Sequence, residues 1–298
     1  MIDTHAQLFL RVVEAGSLKA AAEQIGADPS AVSRKIASLE ARLGVKLLER
    51  STKRSAPTDA GVRYYEGMRR LIDSQLALEA DVAGLVDTPT GKLRVTAPVD
   101  FGARFVAPVL SKLQDDFPKL SVELLLGSTF ADLVEQGIDV AIRIGKLSDS
   151  SLIAKRLGAV PRMIVGAQSY FNRHRLPKKP EDLMSHDFIF YGPGQQELDI
   201  VVGEGKSAKT VTVTGRFTAN SVTAIRTLVA SGRGLHLGPQ WAFEDGLADG
   251  SLTQVLPDAA FQSFPLHALY APGAFVPAKI RQFIDRMARV SESEPSLE

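Results

Sequence analysis

Within "DPSAVSRKIASLEARLG", Asp28 to Gly44, Ser30, Ser33, Arg34 and Lys35 are the side chains equipped to act on a partner. Two hydroxyls, a guanidinium and an ammonium crowded together suit a surface that accepts hydrogen bonds and carries negative charge. The spacing names the element that must hold them. Asp28 can cap a helix, and Pro29 fits its first position, where a missing N–H costs nothing. Val32, Ile36, Leu39 and Leu43 recur as one apolar stripe, and Gly44 stops the helix. Ser30, Ser33, Arg34 and Ala37 fall off that stripe. The stripe anchors the helix, while its first turn faces outward with an N-terminus that itself favours phosphate.

The preceding residues explain what the stripe packs on. Asp3 or Thr4 can cap a first helix with Leu8, Phe9, Val12 and Val13 on its apolar face, ended by Gly16. Ser17 caps a short Ala-rich helix, Leu18 to Ile25, and Gly26 breaks it. Helix, short helix, tight turn and helix make a helix-turn-helix, whose second helix enters the DNA major groove with its N-terminal residues leading. Arg34 can donate a bidentate pair to guanine, and Ser30 and Ser33 can reach phosphates or base edges. Val45, Leu47 and Leu48 then suggest a short strand leading into a basic turn, Arg50 to Arg54. As a hairpin wing it would lay Arg50, Lys53 and Arg54 on phosphates. Thr58 caps a long helix to about Leu85. Its Tyr65, Met68, Ile72, Leu76 and Val82 approximate a coiled-coil seam, favoured here over packing on the helix's own domain.

Charge supports a local rather than a global polyanion partner. The 298-residue chain has a net charge of +1, yet Ser30 to Arg70 holds ten basic against four acidic residues, leaving the remainder at −5. A solvated helical face of mixed charge is the alternative reading. With no cysteine, disulfides, cysteine nucleophiles and thiolate metal sites are excluded. His5, His174, His186, His236 and His267 are scattered, so no metal ion and no other cofactor is expected. The N-terminus lacks a charged segment followed by an apolar one, and no apolar run approaches a bilayer span. A cytoplasmic protein with no membrane partner is expected.

Beyond the linker "VDTPTG" the pattern changes. "KLRVTAP", "SVELLLG" and "IDVAIRIG" read as strands alternating with the helices "RFVAPVLSKLQDDFP" and "FADLVEQG", the signature of a parallel α/β sheet. "RMIVGA", "FIFYG", "TVTVTGRFTA" and "VTAIRTLVASGRG" repeat the style. "FPLHALYAP" and a helix Val276 to Val290 return to the first sheet. Two subdomains joined by two crossovers imply a hinged cleft that takes small ligands at strand ends and helix N-termini. "GEGKS", Gly203 to Ser207, imitates a phosphate loop, but Ile200 stands where that motif needs glycine, so it reads as a hairpin turn. "GRGLHLG" lacks the spacing of a dinucleotide fingerprint. His236 and His267 read as core or edge residues, Trp241 as packing, and "SESEPSLE" as a disordered acidic tail.

"AAAEQIGADPSAVSRKIASLEARLGVKLLERSTKRSAPTDAG" resembles the LysR-type transcriptional regulators, with A-A-A, P-S-A-V-S, I-x-x-L-E-x-x-L-G, L-x-x-R and T-x-A-G in order. The likeness extends over essentially the whole chain. It implies an all-α winged helix-turn-helix domain (1–59) and a linker or dimerisation helix (60–88). An α/β effector domain like a periplasmic binding protein follows (89–298), with subdomains of about 89–161 plus 266–292 and about 162–265. The implied partners are double-stranded promoter DNA, a small co-inducer, most often an anionic organic acid, a second copy of the chain as homodimer or homotetramer, and RNA polymerase.

By motif, the DNA-facing positions are Ser30, Ser33, Arg34, Arg50, Lys53 and Arg54, with Thr52 through a phosphate. The implied effector positions are Pro98, Val99, Asp100, Phe101, Ser128, Thr129, Arg143, Tyr191, Asn220 and Ser221, with Gly192 beside them. Two positions depart from the family pattern. Asp100 stands where relatives often carry Ser or Thr. It would repel an anion unless paired with Arg104 or Arg143, could favour a cationic or polyhydroxyl ligand, or could cap the helix starting at Phe101. Pro57 stands where an apolar residue is more common. Two rival classes fit less well. No nucleophile elbow, paired His or phosphate loop supports an enzyme. A transport solute-binding protein would leave the first 90 residues unexplained.

Overall fold

Local polar residues fix the helix starts of the N-terminal domain, and glycines fix two of the exits. In this computed structural model the described residues are 4–50, 55–82, 88–127, 137–147, 151–203, 205, 208–272 and 276–297. Helix α1 (Thr4–Ala15) ends at Gly16, whose φ of +72° is open to a residue without Cβ. The Ser17 hydroxyl accepts from the Ala20 N–H at 3.1 Å and starts α2 (Leu18–Gln24). Ala21 and Ala22 are fully buried, and their small side chains let α2 pack closely on its neighbours. Asp28 accepts from the Ser30 N–H at 2.7 Å and starts α3 (Pro29–Leu43), which Gly44 closes at φ +68°.

Val32, Ile36 and Leu39 bury against Leu8, Phe9 and Val12, each such side chain contributing about 1.5–3 kcal/mol. Leu43, expected on the same stripe, is instead 40% exposed, and Glu40 takes the inward position. The cause is backbone demand. After Gly44 the chain turns back beneath α3, and the buried amides of Leu47 and Leu48 need an acceptor. Glu40 Oε1 accepts from both, at 2.9 and 3.2 Å, and Oε2 accepts from Lys46 Nζ at 2.8 Å. Burial works to raise the Glu40 pKa, but Lys46 and the two amides outweigh it and hold the carboxyl below its ordinary value.

Strands β1 (Leu48–Arg50) and β2 (Ser55–Pro57) form the antiparallel wing. Thr58 then donates to the Lys46 carbonyl at 2.7 Å and accepts from the Gly61 N–H at 3.0 Å, capping α4 (Asp59–Val82). Gly61 permits the close approach, because a Cβ there would lie 2.0 Å from the Leu47 carbonyl oxygen. The expected seam on α4 is corrected. Tyr65, Met68 and Ile72 pack on the domain's own core, and the Tyr65 hydroxyl donates to Glu14 at 3.0 Å. Among the described side chains of α4, Val62, Leu71 and Leu78 are exposed apolar residues, and the last two, seven residues apart, are 60% and 55% exposed. The side chains of Leu76 and Val82 lie outside the described residues.

The C-terminal part holds two sheets. Strands β3 (Gly91–Ala97), β4 (Leu120–Leu126), β5 (Val140–Ile144) and β6 (Ile153–Val160) belong to the first. Between β3 and β4 runs α5 (Val99–Phe101), a π turn at Gly102–Val106 and α6 (Ala107–Asp116). The chain then crosses to β7 (Arg162–Ala167), α7 (Gln168–Phe171), β8 (Asp187–Tyr191), β9 (Glu197–Val202) and β10 (Lys209–Ala219). There follow α8 (Val222–Ala230), β11 (His236–Pro239), α9 (Glu244–Ala248) and β12 (Leu252–Val255). It returns through β13 (Phe264–Tyr270) and α10 (Ala278–Ser293).

The first sheet has the order β4-β3-β5-β13-β6. In the second part, β12-β7-β11 and β9-β10-β8 meet through a bridge between Phe188 and Leu235. The sheets are mixed, not purely parallel. β3 runs parallel to β4 and β5, whereas the returning β13 is antiparallel to β5 and β6, and β7 is antiparallel to both neighbours. On either side of Gly203 to Ser207, where a hairpin turn is expected, β9 and β10 pair antiparallel up to Val202 opposite Lys209, and Glu204, Lys206 and Ser207 lie outside the described residues. The acidic tail is corrected: α10 runs on to Ser293, and Ser296 and Leu297 are buried against the core of the C-terminal part. At the other end of this part, Arg69 of α4 donates to the Lys92 carbonyl at 3.0 Å and ties the long helix to β3.

Candidate functional site

Two faces gather the residues singled out above. On the N-terminal domain, burying Val32, Ile36 and Leu39 turns Ser30, Arg34 and Lys35 outward, with Ser33 half-buried beside them. The α3 terminus is not open to phosphate in full, because the Asp28 carboxylate already occupies the Ser30 N–H. The Ser30 hydroxyl and N–H hold that carboxyl below its usual range. Contact with a polyanion therefore falls to side chains, Arg34 foremost. Arg50 ends β1 at the wing. Thr52, Lys53 and Arg54 lie outside the described residues.

The second face is the cleft between the two C-terminal sheets. A cavity of about 420 Å3 lies there, and Pro98, Asp100, Phe101 and Tyr191 of the expected residues line it. Val99 faces a shallower outer depression and is 41% exposed. Arg143 is not among the lining residues. It is buried, and it donates to the Ile142 carbonyl at 2.9 Å. Asn220 sits in the turn before α8 and does not line the cavity, and Ser221 caps α8, accepting from the Ala224 N–H at 3.3 Å. Ser128 and Thr129 lie outside the described residues.

The contacts of Asp100 decide two of its alternatives, pairing and capping of its own helix. It pairs with neither Arg104 nor Arg143 and does not cap its own helix. Its Oδ2 accepts from the Val222 N–H at 2.7 Å. Its Oδ1 accepts from the Thr223 N–H at 3.1 Å, the Thr223 hydroxyl at 2.5 Å and the Ser221 hydroxyl at 3.4 Å. A carboxylate from the first sheet's helix thus fills the N-terminus of α8 across the cleft, where an anion is favoured. Arg104 makes a second span, donating to the Trp241 carbonyl and to Glu244, both at 2.9 Å. Asp100 and Arg104 are four residues apart on continuous helical backbone, so they share one face and both reach across the cleft.

Known proteins resemble this chain over both regions. The bacterial regulatory helix-turn-helix family named for LysR matches residues 4–62, and the LysR substrate binding domain matches 87–292. The chain belongs to the LysR family of transcriptional regulators. The transcriptional activator AaeR of Escherichia coli (strain K12) is 34% identical over 282 residues, covering 94% of this chain and 91% of that one. The full-length virulence activator AphB of Vibrio cholerae superposes with a TM-score of 0.58 at 28% identity, covering 95% and 97% of the two chains. CrgA, a LysR-type regulator of Neisseria meningitidis, gives 0.59 at 27%, covering 97% and 98%.

In this LysR-type regulator, sequence reasoning missed the centre of the cavity. Arg162 lines it, stacked over the Phe264 ring at 4.0 Å, with Nε donating to the Gln262 carbonyl at 2.7 Å. Burial pushes its pKa down to about 10. His236, expected in the core, is fully buried there. Its Nδ1 donates to the Ile189 carbonyl at 2.7 Å, and burial pushes its pKa down to about 4, so it is neutral near pH 7. Burial, and next the nearby Asp100, raises the Tyr191 pKa. Arg162 opens a strand immediately after Pro161, and nothing local distinguishes it from a surface arginine. Only the return of β13 beside it makes it a cleft residue.

Proposed function

We propose that this chain is a sequence-specific DNA-binding regulator controlled by a small molecule in the cleft of its C-terminal domain. The observation that carries the reading is the division of α3, with Val32, Ile36 and Leu39 at 1%, 0% and 0% exposure behind an outward Ser30, Arg34 and Lys35. On this reading residues 1–59 bind DNA, 60–88 form the linker helix and 89–298 respond to the effector. The last comprises subdomains of about 89–161 with 266–292, and about 162–265. Arg34 and the serines read bases, while Arg50, Thr52, Lys53 and Arg54 hold phosphates. Two copies, paired along α4 through faces that include Leu71 and Leu78, place their α3 helices in successive major grooves. The chain acts in the cytoplasm, as a dimer or tetramer that alters polymerase access, and by binding rather than catalysis. Effector binding shifts the balance of oligomer geometries by no more than its differential affinity for them. The test is DNA affinity across a salt series. Lys53→Ala is expected to weaken binding to all sequences and to lower the salt slope by about one, whereas Arg34→Ala flattens discrimination between sites. Equal salt slopes for Lys53→Ala and wild type would count against the wing.

A further inference from the structure

We propose that the cleft takes a compact aromatic carboxylate, its ring among Phe101, Phe190, Trp241 and Phe264 and its carboxylate on Arg162. This rests on the reading of the C-terminal domain as ligand-responsive, and adds the chemical class.

Charge decides the functional group. Among the described lining residues, Arg162 is the only cationic side chain, since His236 is neutral near pH 7. The Nη groups of Arg162 have no acceptor among the described residues, and no carboxylate pairs with it there. A mostly buried guanidinium without counter-charge favours an anion strongly. The lining acid, Asp100, is already engaged by four donors of Ser221, Val222 and Thr223. It leaves little for a ligand cation, which Arg162 would also repel. It likewise closes the α8 terminus to a ligand anion. A second orphan points the same way: Trp241 lines the cavity, and its buried Nε1–H has no acceptor among the described residues. A ligand oxygen supplies what such a group lacks.

Shape decides the body. The volume, about 420 Å3, sits low in the range of small-molecule sites. The wall is apolar and aromatic, with Phe101 against Trp241 at 6.4 Å between ring centroids. Such a wall holds a ring by offset and edge contacts and gives a polyhydroxyl ligand few partners for its many hydroxyls.

The test uses full-length protein and the emission of Trp241, the one tryptophan of the chain. Titrants are 4-ethylbenzoate, the neutral 4-ethylbenzamide of the same outline, and acetate, which carries the charge without the ring. The acid is expected to give a saturable change. The amide should bind about tenfold or more weaker, and acetate should give none. Arg162→Gln should abolish the response to the acid, and Arg162→Lys should keep part of it. The amide comparison needs no variant, so a folding defect at Arg162 leaves the test intact. Equal binding of acid and amide, an undiminished response in a folded Arg162→Gln, or no saturable response to the acid would overturn the proposal. An acid response that tightens in Asp100→Asn and ignores Arg162 would move the anion to α8 and overturn it as well. The same preparations are assayed for site-selective DNA binding. Selective binding beside a failed titration removes the ligand class only, whereas unselective binding removes the regulator reading itself.

Discussion

The N-terminal reading face and the effector cleft share one arrangement and use it differently. In each, an aspartate of the chain fills a helix N-terminus and an arginine is left to meet a partner. Asp28 caps α3 from the adjacent position, and Arg34 stands in water beside it. Asp100 caps α8 from across the cleft, and Arg162 is half-buried against the Phe264 ring of an aromatic wall. The surroundings decide what each arginine can do. An exposed guanidinium is screened by salt and gains by acting in a row with neighbours on a long polyanion. A half-buried one is screened less and suits a single compact anion. The difference also sets cooperativity, for Asp28 stabilises one helix, whereas Asp100 joins two subdomains.

The two regions have separate hydrophobic cores, which gives the largest expected effect. Ile36→Ala should cost the N-terminal domain about 2–5 kcal/mol and leave the effector strands unchanged. Hydrogen exchange should show lost protection in α1 to α3 and none in β3, β5 or β7. Equal loss in both regions would mean that the cores unfold as one.

Acid should separate them next, by about 3 kcal/mol. Unfolded His236 titrates near 6.5 and the folded residue at about 4, so the unfolded state gains the proton first. The effector domain then loses roughly 3 kcal/mol as pH falls from 6.5 to 4. Asp28 and Glu40 have depressed values, so their contribution is present above the ordinary carboxylate range and lost only as pH falls through their lower folded values. At pH 5, exchange should have quickened in β7, β8 and β11 and not in α3. The reverse order would break the contrast.

The smallest effect sharpens it. Asp100→Ala removes the acceptor for two backbone amides of α8 and should destabilise the effector domain by about 1–2 kcal/mol. It should also widen the cleft, read as faster exchange at Val222 and Thr223 and a greater radius of gyration in X-ray scattering. An unchanged scattering profile would confine Asp100 to capping.

The same contrast explains what could be read from the chain alone. The ends of α2, α3 and α4 follow from Ser17, Asp28, Gly44 and Thr58, whose partners lie within a few residues or just across a turn. Glu40 displaced Leu43 because buried amides seven and eight residues on needed an acceptor, a demand that hydrophobic spacing does not register. Tyr65, Met68 and Ile72 have heptad-like spacing, but spacing is blind to which surface arrives to cover it. Asp100 meets residues more than 120 positions away, and Arg162 becomes a cleft residue only when β13 returns beside it. Local chemistry marked the first site, the family resemblance pointed to the second, and long-range pairing shaped the second.

The most direct test of the central claim is selection of fragments bound from sheared DNA of the source genome, at low and high salt, by the wild type and Arg34→Ala in parallel. The account predicts an inverted repeat, its half-sites about one helical turn apart, recovered by the wild type at both salts and lost by Arg34→Ala. Unselective binding that fades with salt equally in both proteins would contradict it, and would leave α3 a general polyanion surface.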